Sequence, residues 1–138
     1  MTDNTKVFKL DREALINLTG KDNVDKWVTA LRSGKYIQIR SKMASEDIPN
    51  SACCLHVAAI EVDGVKWEDA IFNDTVIGLP SGFHESINAS FSELLANFGR
   101  IRVCSQYNNS GFSRLNDFYK LSFEQIAELI EEGELCLP

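Results

Sequence analysis

Histidine, tryptophan and proline are scarce in this chain of 138 residues, which contains two, two and three of them. The chain also has no G-x-S-x-G, P-loop, G-x-G-x-x-G or H-E-x-x-H pattern. These patterns are typical of α/β hydrolases, nucleotide-binding enzymes and zinc proteases. We therefore expect a non-catalytic protein, and we keep a small cysteine- or carboxylate-dependent hydrolase or transferase as the alternative.

Long apolar runs are absent as well. No stretch approaches the ~20 apolar residues of a membrane-spanning helix. The N-terminal sequence MTDNTKVFKLDRE has neither the basic nor the apolar region of a signal peptide. We therefore expect a soluble, cytoplasmic protein whose four cysteines stay as free thiols in a reducing compartment.

Basic residues are outnumbered, with 14 Lys and Arg against 20 Asp and Glu, so the net charge is −6. Five of the basic residues nevertheless lie between Lys26 and Lys42, a segment without any acidic residue. Such an asymmetry indicates contact with an anion or a charged partner. The acidic remainder argues against an extended nucleic acid as that partner.

Periodic apolar residues predict the helices. Three stripes have the spacing of an amphipathic helix: Val24, Trp27, Val28 and Leu31; Ile87, Phe91, Leu94, Leu95 and Phe98; and Phe123, Ile126, Ala127 and Ile130. Asp22 is the predicted N-cap of the first helix, and Ser122 with Gln125 forms a capping box for the third. Gly99 and Gly133 are the predicted ends of the second and third helices.

Two further helices are predicted with weaker patterns. Asp11 can cap a short helix through Leu18. Ser51 can cap a nearly all-apolar helix that extends to about Val62. The Asp-Gly dipeptide that follows fits either a helix end or a hairpin turn; we favour the helix, with short strands at 65–67 and 69–76.

Alternation of apolar and polar residues predicts strands at Val7–Leu10, Tyr36–Arg40 and Ile101–Tyr107. The polar sequence NNSGFSR after the last strand predicts a flexible loop. Together these elements predict one compact α+β domain over residues 1–138. It has three to four amphipathic helices and a small, mainly antiparallel sheet.

The basic segment is the best candidate for a binding site. A strand would turn Ile37 and Ile39 inward and display Tyr36, Gln38 and Arg40 on the other face. Arg can bind phosphate or carboxylate, Tyr can stack and Gln can contact a base edge. The candidate ligand-binding residues are Arg32, Ser33, Lys35, Tyr36, Gln38, Arg40, Lys42 and Asn116. A solvated face explains the same pattern.

Asn116, the last of these candidate ligand-binding residues, lies outside the basic segment. It lies in Leu115–Asp117, which we interpret as a turn whose Asn and Asp side chains bond their own backbone. Contact with a ligand is the alternative role of Asn116.

Thiols and imidazoles could in principle form a reactive or metal-binding site. The available residues are Cys53, Cys54, His56, His84, Cys104 and Cys136. Their spacing lacks the C-x2-C geometry of a zinc site, so we expect neither a metal nor another cofactor. Cys104 beside Arg102 is the best candidate nucleophile, with a partly buried strand residue as the alternative interpretation.

Three sequence blocks occur in a recognisable order. They are W-V-T-A-L-R-S-G-K-Y-I-Q at Trp27–Gln38, A-C-C-L-H-V at Ala52–Val57, and L-N-D at Leu115–Asp117 followed by S-F-E-Q-I-A-E-L-I-E at Ser122–Glu131. The blocks resemble a family of small phage and prophage proteins without an established activity. In that family a glycine commonly stands where this chain has His56, so a role for this histidine would be particular to this chain.

The resemblance implies a phage origin and intracellular action. The resemblance and the basic segment between Lys26 and Lys42, which we call the basic strip, together lead us to expect an accessory protein that binds and neutralises a component of the host cell. The expected partner is a host protein or a small anionic, nucleotide-like ligand, and a homo-oligomer is left open. A structural role in the virion is a weaker third hypothesis, because repeats and long helices are absent.

Overall fold

A computed structural model of the chain describes residues 6–40, 44–68, 90–103 and 106–138, with the backbone alone for residues 106–109. The described strands are β1 (Lys6–Leu10), β2 (Ile37–Gln38), β3 (Ser51–Ala52), β4 (Ile101–Val103), β5 (Gln106–Ser110) and β6 (Glu134–Leu137). The described helices are α1 (Arg12–Thr19), α2 (Lys21–Arg32), α3 (Cys54–Glu61), α4 (Phe91–Ala96), α5 (Phe112–Asp117) and α6 (Phe123–Glu132). The predicted α+β class is confirmed.

The larger sheet has the strand order β5-β4-β1-β6, and all of its pairs are antiparallel. Phe8 is the register partner of Val103 on one side and of Leu135 on the other. All three side chains are buried, whereas Lys9 on the opposite face is exposed. One face of this sheet therefore covers the helices and the other meets solvent.

Helix α2 buries its predicted stripe, including a fully buried Trp27. The indole ring meets Phe91 and Phe112 edge to face, with centroids 5.8 and 4.9 Å away, and its Nε1 donates to the Cys54 carbonyl at 2.9 Å. The predicted N-cap was wrong: the helix begins at Lys21, so Asp22 lies in its first turn. A carboxylate there still interacts favourably with the helix dipole.

Several helix ends form as predicted. The Asp11 side chain accepts from the Ala14 amide and caps α1. Ser122 and Gln125 form both bonds of a capping box at α6, and Gly133 ends that helix in the left-handed conformation with φ 76°. These signals are local in sequence, and they fix the direction in which each helix leaves its turn.

The predicted start of α3 was wrong. Ser51 and Ala52 form β3, which pairs with β2 in parallel, and Cys53 is the N-cap of a helix that begins at Cys54. The helix itself, preferred over a hairpin, is confirmed. Residues 65–67 do not form a strand, and the strand predicted at 69–76 lies outside the described residues.

Helix α4 carries the second predicted stripe over residues 91–96, whereas Ile87 lies outside the described residues. Its C-cap is Asn97 rather than the predicted Gly99. The Asp63 carboxylate accepts from the amides of Phe91 and Ser92 at 2.9 and 3.0 Å. This carboxylate therefore ties the chain after α3 to the first turn of α4.

The flexible loop predicted from NNSGFSR was wrong. Its first residues lie in β5, which pairs with β4, and Phe112 begins α5 with 1% of its surface exposed. The predicted turn at Leu115–Asp117 is the last part of this helix. Strand β6 was not anticipated, although it pairs with the whole of β1 except Leu10.

Across the described ranges, we find no helix with both the length and the apolar character needed to span a bilayer.

Candidate functional site

Arg32, at the end of α2, is held by two carboxylates of α6. Its Nε donates to Glu124 Oε1 at 3.1 Å, and its Nη1 donates to Glu131. The hydrogen bond that Arg32 donates to Glu131, with the negative charges of Glu131 and Glu124, raises the pKa of the guanidinium above its ordinary value. Arg32 therefore links α2 to α6 within the protein itself.

Lys35 and Tyr36 share a carboxylate of α3. Lys35 Nζ lies 3.0 Å from Glu61 Oε2, and the Tyr36 hydroxyl donates to the same oxygen. Burial, with the adjacent Glu61, raises the pKa of Tyr36, so the phenol stays protonated and acts as a donor. The bond from Tyr36, together with Lys35, lowers the pKa of Glu61.

The predicted faces of the strand at residues 36–40 were wrong. Tyr36 is 8% exposed and Ile37 is 54% exposed, so the tyrosine points inward and the isoleucine outward. Tyr36 turns inward because its hydroxyl reaches Glu61 on α3, and Ile37, as the next residue of an extended segment, points the other way. Tyr36 is therefore not displayed for stacking as predicted.

Gln38 and Asn116, which are 78 residues apart in sequence, form one partly buried polar network. Gln38 Nε2 donates to Asn116 Oδ1 and to the Leu121 carbonyl, both at 2.8 Å, and its Oε1 accepts from the Phe123 amide at 3.2 Å. Asn116 is fully buried and its Nδ2 donates to the Ile39 carbonyl at 2.9 Å. Both amides thus bond the protein itself.

The remaining strip residues also have local partners. Arg40 Nη2 donates to the Lys120 carbonyl at 3.1 Å. Ser33 Oγ donates to the Ala30 carbonyl at 2.7 Å and accepts from the Lys35 amide at 3.1 Å, which stabilises the end of α2. Lys42 lies outside the described residues. Whether any residue of the strip contacts a ligand stays a prediction.

Ser33 and Lys35 belong to an open groove of about 750 Å³ along the polar face of α2, which we call the α2 groove. Its lining residues are Asp22, Asp25, Lys26, Thr29, Ala30, Ser33, Lys35 and Glu61. The sequence analysis missed this groove. The signal was available, because residues 22, 25, 26, 29 and 33 recur at helical spacing opposite the apolar stripe.

Two of the three described thiols and the described histidine are poorly placed for chemistry, whereas the third thiol, Cys136, is exposed. Burial raises the pKa of Cys53 and of Cys54, so both stay protonated at neutral pH. His56 is fully buried, and desolvation lowers its pKa to about 4. Neither of its ring nitrogens has a hydrogen-bond partner of normal geometry among the described residues. Cys104 and His84 lie outside those residues.

Within the described ranges, no three side chains of His, Cys, Asp or Glu come together in a group that could hold a metal ion.

The comparisons with known proteins bear on the family. Neither the curated proteins nor the solved structures gave a match. The family model described as "Domain of unknown function (DUF8296)" matches residues 21–134, which include the α2 groove and all three sequence blocks. Because this match covers most of the 138 residues, the chain belongs to the DUF8296 family.

Proposed function

We propose that this chain is a non-catalytic accessory protein that binds another protein through the α2 groove. The observation that carries the proposal is the order of charges along the groove. Asp22 and Asp25 lie toward the start of α2, Lys26 follows, and Lys35 with Glu61 lies beyond its end. A helix of 12 residues is about 18 Å long, so the groove offers separated charges to an extended partner.

Lys26 and Lys35 differ in how firmly they are held. Lys35 is paired with Glu61, although its side chain is 63% exposed. Lys26 is exposed and forms no ion pair with any residue in the described ranges. Lys26 is therefore the cation most available to a carboxylate of the partner.

The lining favours a protein over a nucleotide as the occupant. Three of its eight side chains are carboxylates, and they would repel a polyphosphate. A protein surface can place basic groups against Asp22 and Asp25 and acidic groups against the lysines, which gives specificity and fast association. The partner that we propose thus has both signs of charge.

The protonated thiols of Cys53 and Cys54 and the buried imidazole of His56 support a binding role rather than a catalytic one. A nucleophile needs an accessible thiolate and a nearby base. The raised pKa of Cys53 and of Cys54, together with the full burial of His56, is unfavourable to such chemistry at these residues. The cysteine-dependent alternative then depends on the exposed Cys136 or on Cys104, which is outside the described residues.

The resemblance of the three sequence blocks to phage and prophage proteins motivates the identity of the partner. We propose that the chain is encoded by a phage or prophage, acts in the host cytoplasm, and neutralises a host protein. A host defence protein is the expected class of target. The resemblance supports this last step, and the charges of the groove support only the mode of binding.

Site-specific photo-crosslinking in the producing cell tests the proposal. A photoreactive residue at Thr29, which is exposed in the groove, should give a discrete cross-linked protein that mass spectrometry identifies. The same residue at Glu128, exposed on α6 and outside the groove, is the matched control. Products of equal yield at both positions, or none at Thr29, would contradict a protein partner in the groove.

A further inference from the structure

The outer face of the larger sheet carries a second cluster of positive charge, outside the α2 groove. Lys9 on β1 and Arg102 on β4 are direct register partners, and Arg100 immediately precedes β4. Like charges directly opposite each other on neighbouring strands destabilise a sheet. Lys9 also has Glu134 of β6 as a register partner, whereas the register partners of Arg102 are Lys9 and Asn109. The charge of Arg102 is therefore the one that an external anion would compensate.

The protein compensates these charges only weakly. Lys9 Nζ lies 3.9 Å from Glu134 Oε1, and Arg100 Nη1 lies 3.6 Å from Asp11 Oδ2. The other oxygen of Asp11 accepts from the Ala14 amide at 3.0 Å, so that carboxylate also caps α1. Arg102 forms no ion pair within the described ranges. All three cations are therefore available to a stronger anion.

An open surface depression of about 540 Å³ joins the three cations. It is lined by Lys9, Leu10, Asp11, Arg100 and Arg102. Two guanidinium groups and one ammonium group can together bind several phosphate oxygens, since arginine offers a planar fork and lysine a point charge. This volume suits a small molecule, and the acidic remainder of the chain disfavours an extended nucleic acid.

We propose that this surface depression, which we call the sheet-face site, binds a small polyanion that carries linked phosphate groups. The sheet-face site differs from the α2 groove in its residues, its net charge and its proposed ligand. Free polyphosphate and the phosphate chain of a nucleoside triphosphate share this chemistry. The site as described recognises the phosphate groups, and the source is distinguished by experiment.

Titration calorimetry of the full chain with inorganic triphosphate and with adenosine triphosphate tests the inference, with sodium chloride at matched ionic strength as the blank. We expect saturable binding of both probes that weakens as salt rises. Tighter binding of the nucleotide would identify it as the source, and equal binding would identify the phosphate chain alone; either result supports the site. Heats equal to those of the chloride blank would overturn it.

Variants locate the binding. Arg102→Gln should weaken triphosphate binding about tenfold or more, because a charge-assisted contact is lost. Arg102→Lys should lose less, since it keeps the charge without the fork. Lys26→Gln, which removes one charge from the α2 groove, is the matched control and should leave the affinity unchanged.

Thermal melting provides an independent readout. Without a ligand, Arg102→Gln should melt at or above the temperature of the parent, because the repulsion with Lys9 is relieved. With triphosphate, the parent should gain stability and the variant should not. Equal triphosphate affinity and equal stabilisation in Arg102→Gln and the parent would overturn the assignment.

Discussion

Gln38 Nε2 donates a hydrogen bond of 2.8 Å to Asn116 Oδ1, and this contact joins β2 to the end of α5. The sequence makes both residues candidate ligand contacts, and that role stays a prediction. In the fold, their side-chain amides satisfy backbone groups of Cys54, Ile39 and Phe123. Since buried polar groups are costly when unpaired, this network stabilises one arrangement of the surrounding elements.

A double-mutant cycle on Gln38→Ala and Asn116→Ala tests this network. Asn116→Ala should lower the free energy of unfolding by about 3 kcal/mol, because it leaves buried groups without partners. The two changes should be coupled by about 1 kcal/mol or more. Urea denaturation measures both quantities, with the exposed Asn17→Ala as a near-neutral control. Additive effects would show that the two amides act independently.

Trp27 supports the core through its ring and its indole nitrogen. Trp27→Ala should cost about 3–5 kcal/mol, because it removes a fully buried aromatic side chain. Trp27→Phe should cost less, since it keeps part of the ring packing against Phe91 and Phe112 and loses the bond to Cys54. Chemical denaturation ranks the variants. Parent-like stability of Trp27→Ala would contradict the buried position.

His56 predicts a dependence of stability on pH. Desolvation lowers its pKa to about 4 in the folded chain, against 6.5 for an exposed histidine. Between pH 6.5 and pH 4, His56 is protonated in the unfolded chain and neutral in the folded chain. The free energy of unfolding therefore falls as the pH drops toward 4. The loss between pH 7 and pH 5 should be about 2 kcal/mol.

The variant His56→Leu isolates this contribution, because leucine does not titrate and fits an apolar environment. Its free energy of unfolding should change less than that of the parent over the same pH range. Denaturation at both pH values measures the difference. An identical pH dependence in parent and variant would mean that the folded chain admits a proton at His56.

Substitution of Arg32 measures how much its exposed ion pairs contribute to the stability of the fold. Arg32→Gln should lower the free energy of unfolding by no more than about 1 kcal/mol, and added salt should reduce the effect, because the partners Glu124 and Glu131 are partly exposed. Urea denaturation at low and high salt measures it. A loss of several kcal/mol at high salt would indicate a desolvated contact instead.

Features that depend on neighbours in sequence were predictable here. The stripe of Val24, Trp27, Val28 and Leu31 and the caps at Asp11 and Ser122 follow from helical spacing and from bonds that span three residues. The buried faces of β1 and β4 follow from alternation. These elements require no knowledge of their distant partners.

Features that depend on distant partners were not predictable. Tyr36 turns inward because Glu61 lies on a separate helix, and β6 forms because β1 offers an edge more than a hundred residues away. The polar residues before Phe112 predict a loop from local composition, whereas their pairing with β4 places them in strand β5. The ion pairs of the basic strip were not predictable for the same reason. Their carboxylates, Glu61, Glu124 and Glu131, lie on distant helices, whereas the strip itself has only basic charges in sequence.

The most direct test of the account is the affinity of the chain for the protein that cross-links at Thr29, measured for the parent, Lys26→Gln and Lys9→Gln. Each variant removes one exposed positive charge, from the α2 groove and from the sheet-face site respectively. We predict that Lys26→Gln weakens binding about tenfold and that Lys9→Gln leaves it unchanged. Equal affinities in all three proteins would contradict binding through the α2 groove.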